Sequence, residues 1–230
     1  MIGNFDLVNY LIGIVVILLS VSVHEYAHAR AAYGYGDDTA AERGRLTLNP
    51  LVHFEPFGFI LILLRAPIAW GKPVPVNPNR FRRDVDYKKA MLWVSLSGVT
   101  ANLILAIIGA ALYYSLWAII FYISPTGFLM NIMNVLMAIS IRLITQNVYL
   151  AVFNLLPIPP LDGFEWFSRL IPRNWSNLMI SNQRNISMIM MMVIVFFNGP
   201  FSRVLSGIAN PIISVITWPF IKILELIIGV

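Results

Sequence analysis

Long apolar runs, broken by shorter segments rich in proline, glycine and basic residues, set the pattern of this 230-residue sequence. Because a membrane-spanning helix needs about 20 predominantly apolar residues, these runs are read as crossings rather than as buried core helices. The first runs from about Asp6 to Tyr33, where VVILLSVSV passes directly into HEYAHARAA before GYG breaks the helix. A second is expected from about Ala90 to Ile123, ended by a turn at SPTG, and a third from about Phe128 to Leu156, stopped by the prolines of LPIPP. Two further runs lie at about 186–198 and 204–229, giving five crossings with a short fourth.

Between the first two crossings the periodicity disappears. Residues 36–79 carry repeated Gly and Pro breakers, GRLTLNP and KPVPVNP read as short strands or turns, and FGFILILL is apolar but too short to span. Irregular backbone at a membrane persists only where protein buries it or where it lines a water-filled cavity, so this stretch is expected to fold as a re-entrant or interfacial lid. Phe164 to Arg184 mixes Trp, Phe, Arg and Asn, the composition of an interfacial amphipathic segment.

The composition agrees with lipid as the main solvent: 58% of the residues are hydrophobic and 12% are charged. The opening segment lacks a basic leader and a small-residue cleavage site and is expected to remain as a spanning helix. The net charge of +5 does not call for nucleic acid, because the basic residues lie between the crossings. Arg30, Arg43, Arg45, Arg65, Lys72, Arg80, Arg82, Arg83, Lys88 and Lys89 precede the second crossing, while Arg169, Arg173 and Arg184 follow the third. The positive-inside rule puts both groups in the cytoplasm and the N-terminus outside. With no cysteine, a transition metal has to be held by His, Asp or Glu.

His24-Glu25-Tyr26-Ala27-His28 forms an HExxH pattern on the first helix, whose spacing sets two imidazoles on one face to grip a single zinc ion, with Glu25 as general base. Three ionisable groups on one turn of an otherwise apolar span argue for a function. Catalytic zinc takes three protein ligands and keeps one open position. Asp162, just after the proline break in NLLPIPPLDG, is the best candidate for the third, with His53 as a rival and Glu55 below Asp162. The plainer reading of Asp162 is an Asp-Gly turn. Arg142, alone among apolar residues of the third crossing, is read as a snorkelling or internally paired charge, and the methionine run at 188–192 as lipid-facing packing.

HEYAH in the first crossing, SGVTAN at 97–102 in the second and NLLPIPPLDG at 154–163 in the third resemble, in order and spacing, the site-2 protease family of intramembrane metalloproteases. The resemblance covers about residues 5–170. It implies a three-helix catalytic core, His24, His28 and Asp162 as zinc ligands and Glu25 as catalytic base, with one zinc per chain. GRLTLNPLVHFEPFG resembles the loop of small members without PDZ or nucleotide-sensing domains. One departure is Val99, where the family's second motif usually has proline. Asn102 is retained, and its amide suits either donation to a substrate carbonyl or developing oxyanion, or hydrogen bonding between packed helices. His53 is a further candidate for an active-site role.

These readings define the expectation of an all-α polytopic membrane protein with a three-helix core, two C-terminal transmembrane helices and a short β or re-entrant lid. It forms one domain over residues 1–230, with the core and lid (36–79) in 1–170 and the C-terminal helices in 171–230. The expected activity is zinc-dependent cleavage of transmembrane or membrane-associated protein substrates in the cell membrane, at a site reached from the cytoplasmic side. A zinc-bound scaffold or chaperone and an ion transporter are the alternatives. Retention of a base beside the ligands argues against the first, and the lack of an internal repeat against the second.

Overall fold

The computed structural model describes residues 6–63 and 71–229, apart from the side chain of Phe57. Residues 1–5 of the opening segment, residues 64–70 of the expected lid, including Arg65, and Val230 lie outside the described residues.

The described residues are helical and contain no strand. Their helices are α1 (Leu7–Gly34), α2 (Thr39–Glu42), α3 (Pro56–Leu63), α4 (Tyr87–Ile123), α5 (Gly127–Asn154), α6 (Asp162–Phe167), α7 (Arg173–Ser181), α8 (Gln183–Phe196) and α9 (Asn198–Ile228). Four of them, α1, α4, α5 and α9, are long and apolar enough to cross a membrane. The fourth crossing read from the sequence, about 186–198, falls on α8, which passes as a span only together with α7, a segment read as interfacial. The two are bent by 70°, so the five-crossing count holds only if that pair is one span.

The distribution of side chains is that of a protein whose solvent is lipid. On α1, Leu11, Val15 and Leu19 are exposed while Ser20, Ser22, His24, Glu25 and His28 are buried. That pattern inverts the arrangement expected in water and keeps polar groups inside the bundle. Helices α1, α4 and α5 form the centre, and α4 and α5 approach closely at the buried Gly109, where a Cβ would overlap Leu143 Cβ. Asp86 caps α4 by accepting from the backbone N–H groups of Lys88 and Lys89. Helix α9 lies along α4, with Tyr114 stacked on Phe220 and the Tyr122 hydroxyl donating to Ile227 O. Pro211 and Pro219 lie inside α9, where each, lacking an N–H, leaves the carbonyl four residues earlier without its helical partner.

The short strands expected between α1 and α4 are not present among the described residues, and the backbone partners explain why. Pro73 and Pro75 have no N–H to offer a ladder, and the donors around them go elsewhere: Lys72 N–H to His53 O, Val74 N–H to Glu25 Oε2 and Asn77 N–H to Asp37 Oδ2. GRLTLNP likewise becomes a turn, in which Thr47 Oγ accepts from Asn49 N–H and Asn49 caps the 3-10 turn Pro50–His53. FGFILILL forms most of α3, which lies against α1 and α5 through Phe59 and Ile62, beside Ile17, Val21 and Leu150. The described part of the segment thus lies next to the HExxH turn as helices, turns and irregular backbone.

Candidate metal centre

The 3.6-residue period carries His24 and His28 to the same side of α1, with their Nε2 atoms 3.1 Å apart. Asp162 reaches them from the first turn of α6, directly after the proline-rich break at the end of α5. Its Oδ2 lies 3.2 Å from each of the two Nε2 atoms. Gly163 makes this turn possible, since a Cβ there would overlap the Leu155 carbonyl. Gly98 of α4 has a similar part opposite the rings, where a Cβ would overlap His28 Nε2 and lie 2.6 Å from His24 Cε1.

Hydrogen bonds decide which nitrogen of each ring faces the centre. His28 Nδ1 is 2.7 Å from Val94 O, and a carbonyl only accepts, so the proton is on Nδ1 and the Nε2 lone pair points inward. His24 Nδ1 is 2.7 Å from Asn102 Oδ1 and takes the same tautomer. Two imidazole lone pairs and a carboxylate oxygen therefore converge, and Asp162 Oδ2 is buried without a hydrogen-bond donor. Three electron-rich atoms this close repel one another unless a cation lies among them. A tetrahedral zinc with bonds of about 2.0–2.1 Å sets its donor atoms roughly 3.3 Å apart, so the observed triangle fits that ion, and the N,N,O donor set leaves a fourth position open.

Glu25 is buried beside the triangle, with Oε2 held by Val74 N–H at 2.8 Å. Its carboxylate lines a cavity of about 170 Å³ together with the three donor residues, Val74, Ser95 and Phe153. The irregular backbone at 71–76 forms one wall, with Gly71, Pro73, Val74 and Val76 in it.

The other residues singled out from the sequence have different surroundings. Asn102 is wholly buried, its carbonyl oxygen on His24 and its amide nitrogen donating to Asn147 Oδ1 at 2.9 Å. His53 is 2% exposed and bonds the loop that carries it, with Nε2 2.8 Å from Thr47 O. Its Nδ1 faces Arg45 at 3.4 Å, and it stands outside the metal-donor triangle. Glu55 shares a separate small pocket with His53. Arg142 lies over Gly13 of α1, next to Gln146. In the methionine run Met188 and Met192 are exposed and Met190 is buried.

Three participants escaped the sequence reading. Asn147 and Ser20 complete a buried polar chain behind His24, and an amide inside an apolar crossing was the available signal for Asn147. Arg45 was read only as a topogenic charge, yet it is buried and donates to Lys72 O at 2.6 Å, fastening the wall of the cavity.

A helical protein of multi-pass membrane type, with an HExxH helix closed by a distant carboxylate, is the class that fold and site define. A comparison with known proteins gives the family. The chain is 41% identical over 167 residues to "Putative zinc metalloprotease YwhC" of Bacillus subtilis, a match covering 73% of this chain and 71% of that protein. It is 31% identical over 152 residues to "Putative zinc metalloprotease Rip2" of Mycolicibacterium smegmatis, covering 64% of this chain and 52% of that protein. The Rip2 of Mycobacterium tuberculosis is 30% identical over 148 residues, with the same coverage. The chain thus spans about half the length of the Rip2 proteins. No family model and no solved structure matches it. The chain belongs to the zinc metalloprotease family that includes YwhC.

Proposed function

We propose that this protein is an intramembrane zinc metalloprotease of the site-2 type, cleaving peptide bonds of membrane-spanning or membrane-associated proteins. The observation that carries this reading is the convergence of His24, His28 and Asp162 beside Glu25, in a cavity enclosed by helices whose outer faces are apolar.

His24, His28 and Asp162 would hold the ion, which when bound supplies a Lewis acid and lowers the pKa of water towards neutrality. Glu25 takes the proton of the attacking water and delivers it to the leaving amine. The Val74 N–H fixes one carboxylate oxygen and leaves the other to exchange the proton. Asn102 acts behind His24 as a positioning residue, because its oxygen and nitrogen are engaged by His24 and Asn147. His53 and Arg45 hold the 71–74 segment: His53 O accepts from Lys72 N–H and Arg45 donates to Lys72 O.

A substrate helix keeps its carbonyls in internal hydrogen bonds and has to unwind before one can reach the centre. The 71–76 stretch, which lines the cavity, gives the unwound chain a surface to lie against, without strand pairing, since its prolines and engaged N–H groups leave few donors. The basic residues between α1 and α4 support a cell-membrane protein whose cavity opens to the cytoplasm.

The test is reconstitution of the purified protein with zinc and a model transmembrane substrate, beside Glu25→Gln. Cleavage by the wild type, lost by at least about 100-fold in the variant while zinc stays bound, is the expected result. Equal behaviour of the two on every substrate would overturn the reading.

A further inference from the structure

We propose that Asn147 on α5 is a positioning residue that sets the ligating tautomer of His24, with the Leu143 carbonyl as the origin of the proton direction; this rests on the zinc reading above. Ser20, Asn102 and Asn147 are fully buried and join three helices in one hydrogen-bonded chain. Asn147 Nδ2 lies 2.9 Å from both Ser20 Oγ and Leu143 O, Asn102 Nδ2 lies 2.9 Å from Asn147 Oδ1, and His24 Nδ1 lies 2.7 Å from Asn102 Oδ1.

An amide can be turned end for end, and a serine hydroxyl accepts or donates with equal ease, so neither sets a direction alone. The Leu143 carbonyl only accepts. It therefore requires the NH2 of Asn147 on its side, which leaves the Asn147 oxygen for Asn102. Asn102 has to turn its NH2 towards α5 and its oxygen towards α1. His24 meets that oxygen with an Nδ1 proton, and Nε2 keeps its lone pair for the metal. Reversing Asn147 would oppose two carbonyl oxygens at Leu143 and, through Asn102, leave the proton on His24 Nε2, where no metal can bind. His28 has the direct version of the same device, because its Nδ1 faces the Val94 carbonyl without an intermediary. The two ligands of one HExxH turn thus depend on different helices for their tautomers, His28 on α4 alone and His24 on α4 and α5 together.

Two substitutions separate this role from packing. Asn147→Leu removes the direction, whereas Asn147→Asp, as a neutral carboxyl donating its O–H to Leu143 O, keeps an accepting oxygen towards Asn102 and preserves it. Imidazole 15N shifts of the metal-free protein, recorded where the rings are neutral, report the tautomers, and chelator competition reports zinc affinity. In Asn147→Leu, His24 is expected to populate both tautomers, His28 to keep the wild-type one, and zinc binding to weaken about 10- to 100-fold. In Asn147→Asp the His24 tautomer is retained and zinc affinity stays within about threefold of wild type, well short of that loss. A packing role predicts the opposite order, since leucine is the milder substitution between apolar helices. The proposal is overturned if Asn147→Leu leaves His24 and zinc affinity unchanged, if His24 and His28 shift together, or if aspartate is the more damaging change. A wild type that binds no zinc overturns the metal reading and this one with it, whereas a zinc-binding wild type with an indifferent Asn147→Leu overturns this one alone.

Discussion

At Gly98 a missing methyl group decides how near α4 comes to the two imidazoles. A Cβ there would overlap His28 Nε2 and lie 2.6 Å from His24 Cε1, so Gly98→Ala has to push either the helix or the rings aside. Overpacking of this kind costs about 1–3 kcal/mol, and here it is directed at the donor atoms. Gly98→Ala is expected to keep its helical circular dichroism and to bind zinc at least about tenfold more weakly in chelator competition. At this scale the sequence was informative where chemistry is local. The HExxH spacing identified two rings on one helix face, and the proline break marked the end of α5 with Asp162 just beyond it. Gly98 was read only as part of the SGVTAN motif, because a glycine in a span reads as packing until the atoms facing it are known. The sequence was also ambiguous about Asn102, whose partners lie on two other helices.

Among the elements, α4 starts outside the apolar zone on a cap that responds to acid. The Lys89 N–H that Asp86 accepts holds its carboxyl below the usual carboxylate range, with the Lys88 N–H adding to the effect. For a lowered folded-state pKa, the stabilisation is present above the unfolded value of about 3.9 and is lost as pH falls through the folded value. The thermal midpoint of the wild type in detergent is therefore expected to fall further, from about pH 5 to about pH 2, than that of Asp86→Ala, which lacks the cap throughout. Equal acid sensitivity would remove the cap from the account. The crossings themselves were legible because twenty apolar residues have few other uses, and the termini read from the sequence for the three core crossings lie within about three residues of α1, α4 and α5. The stretch between α1 and α4 was not legible in detail. Its strand-like prolines removed the donors a ladder needs, and the N–H groups of Val74 and Asn77 found the carboxylates of Glu25 on α1 and of Asp37, partners remote in sequence.

For the whole molecule, the arrangement makes one face carry most of the basic side chains. Arg83 lies before α4 and Thr126 after it, and both are exposed. The chain has no cysteine, so single substitutions report orientation without background. Arg83→Cys is expected to react with a membrane-impermeant maleimide only in inverted vesicles, and Thr126→Cys only in right-side-out cells, as the positive-inside rule requires. The reverse labelling would turn the cavity to the outside. The same antiparallel course of α1 and α4 brings residues 24–28 beside residues 94–102, and the return of α5 carries the chain back to Asp162 at the same depth.

By itself the sequence determined what depends on short-range periodicity and on the solvent: which segments cross, which face of the first helix holds two imidazoles, and which donor types are available to a metal. Only the tertiary structure decided the distances among His24, His28 and Asp162, the use of the 71–77 donors, and the chain from Leu143 through Asn147 and Asn102 to His24. The physical reason is that hydropathy and helical spacing act along one chain segment. A tautomer or a metal-donor triangle depends on atoms from separate helices, and their positions are set by how closely the helices pack.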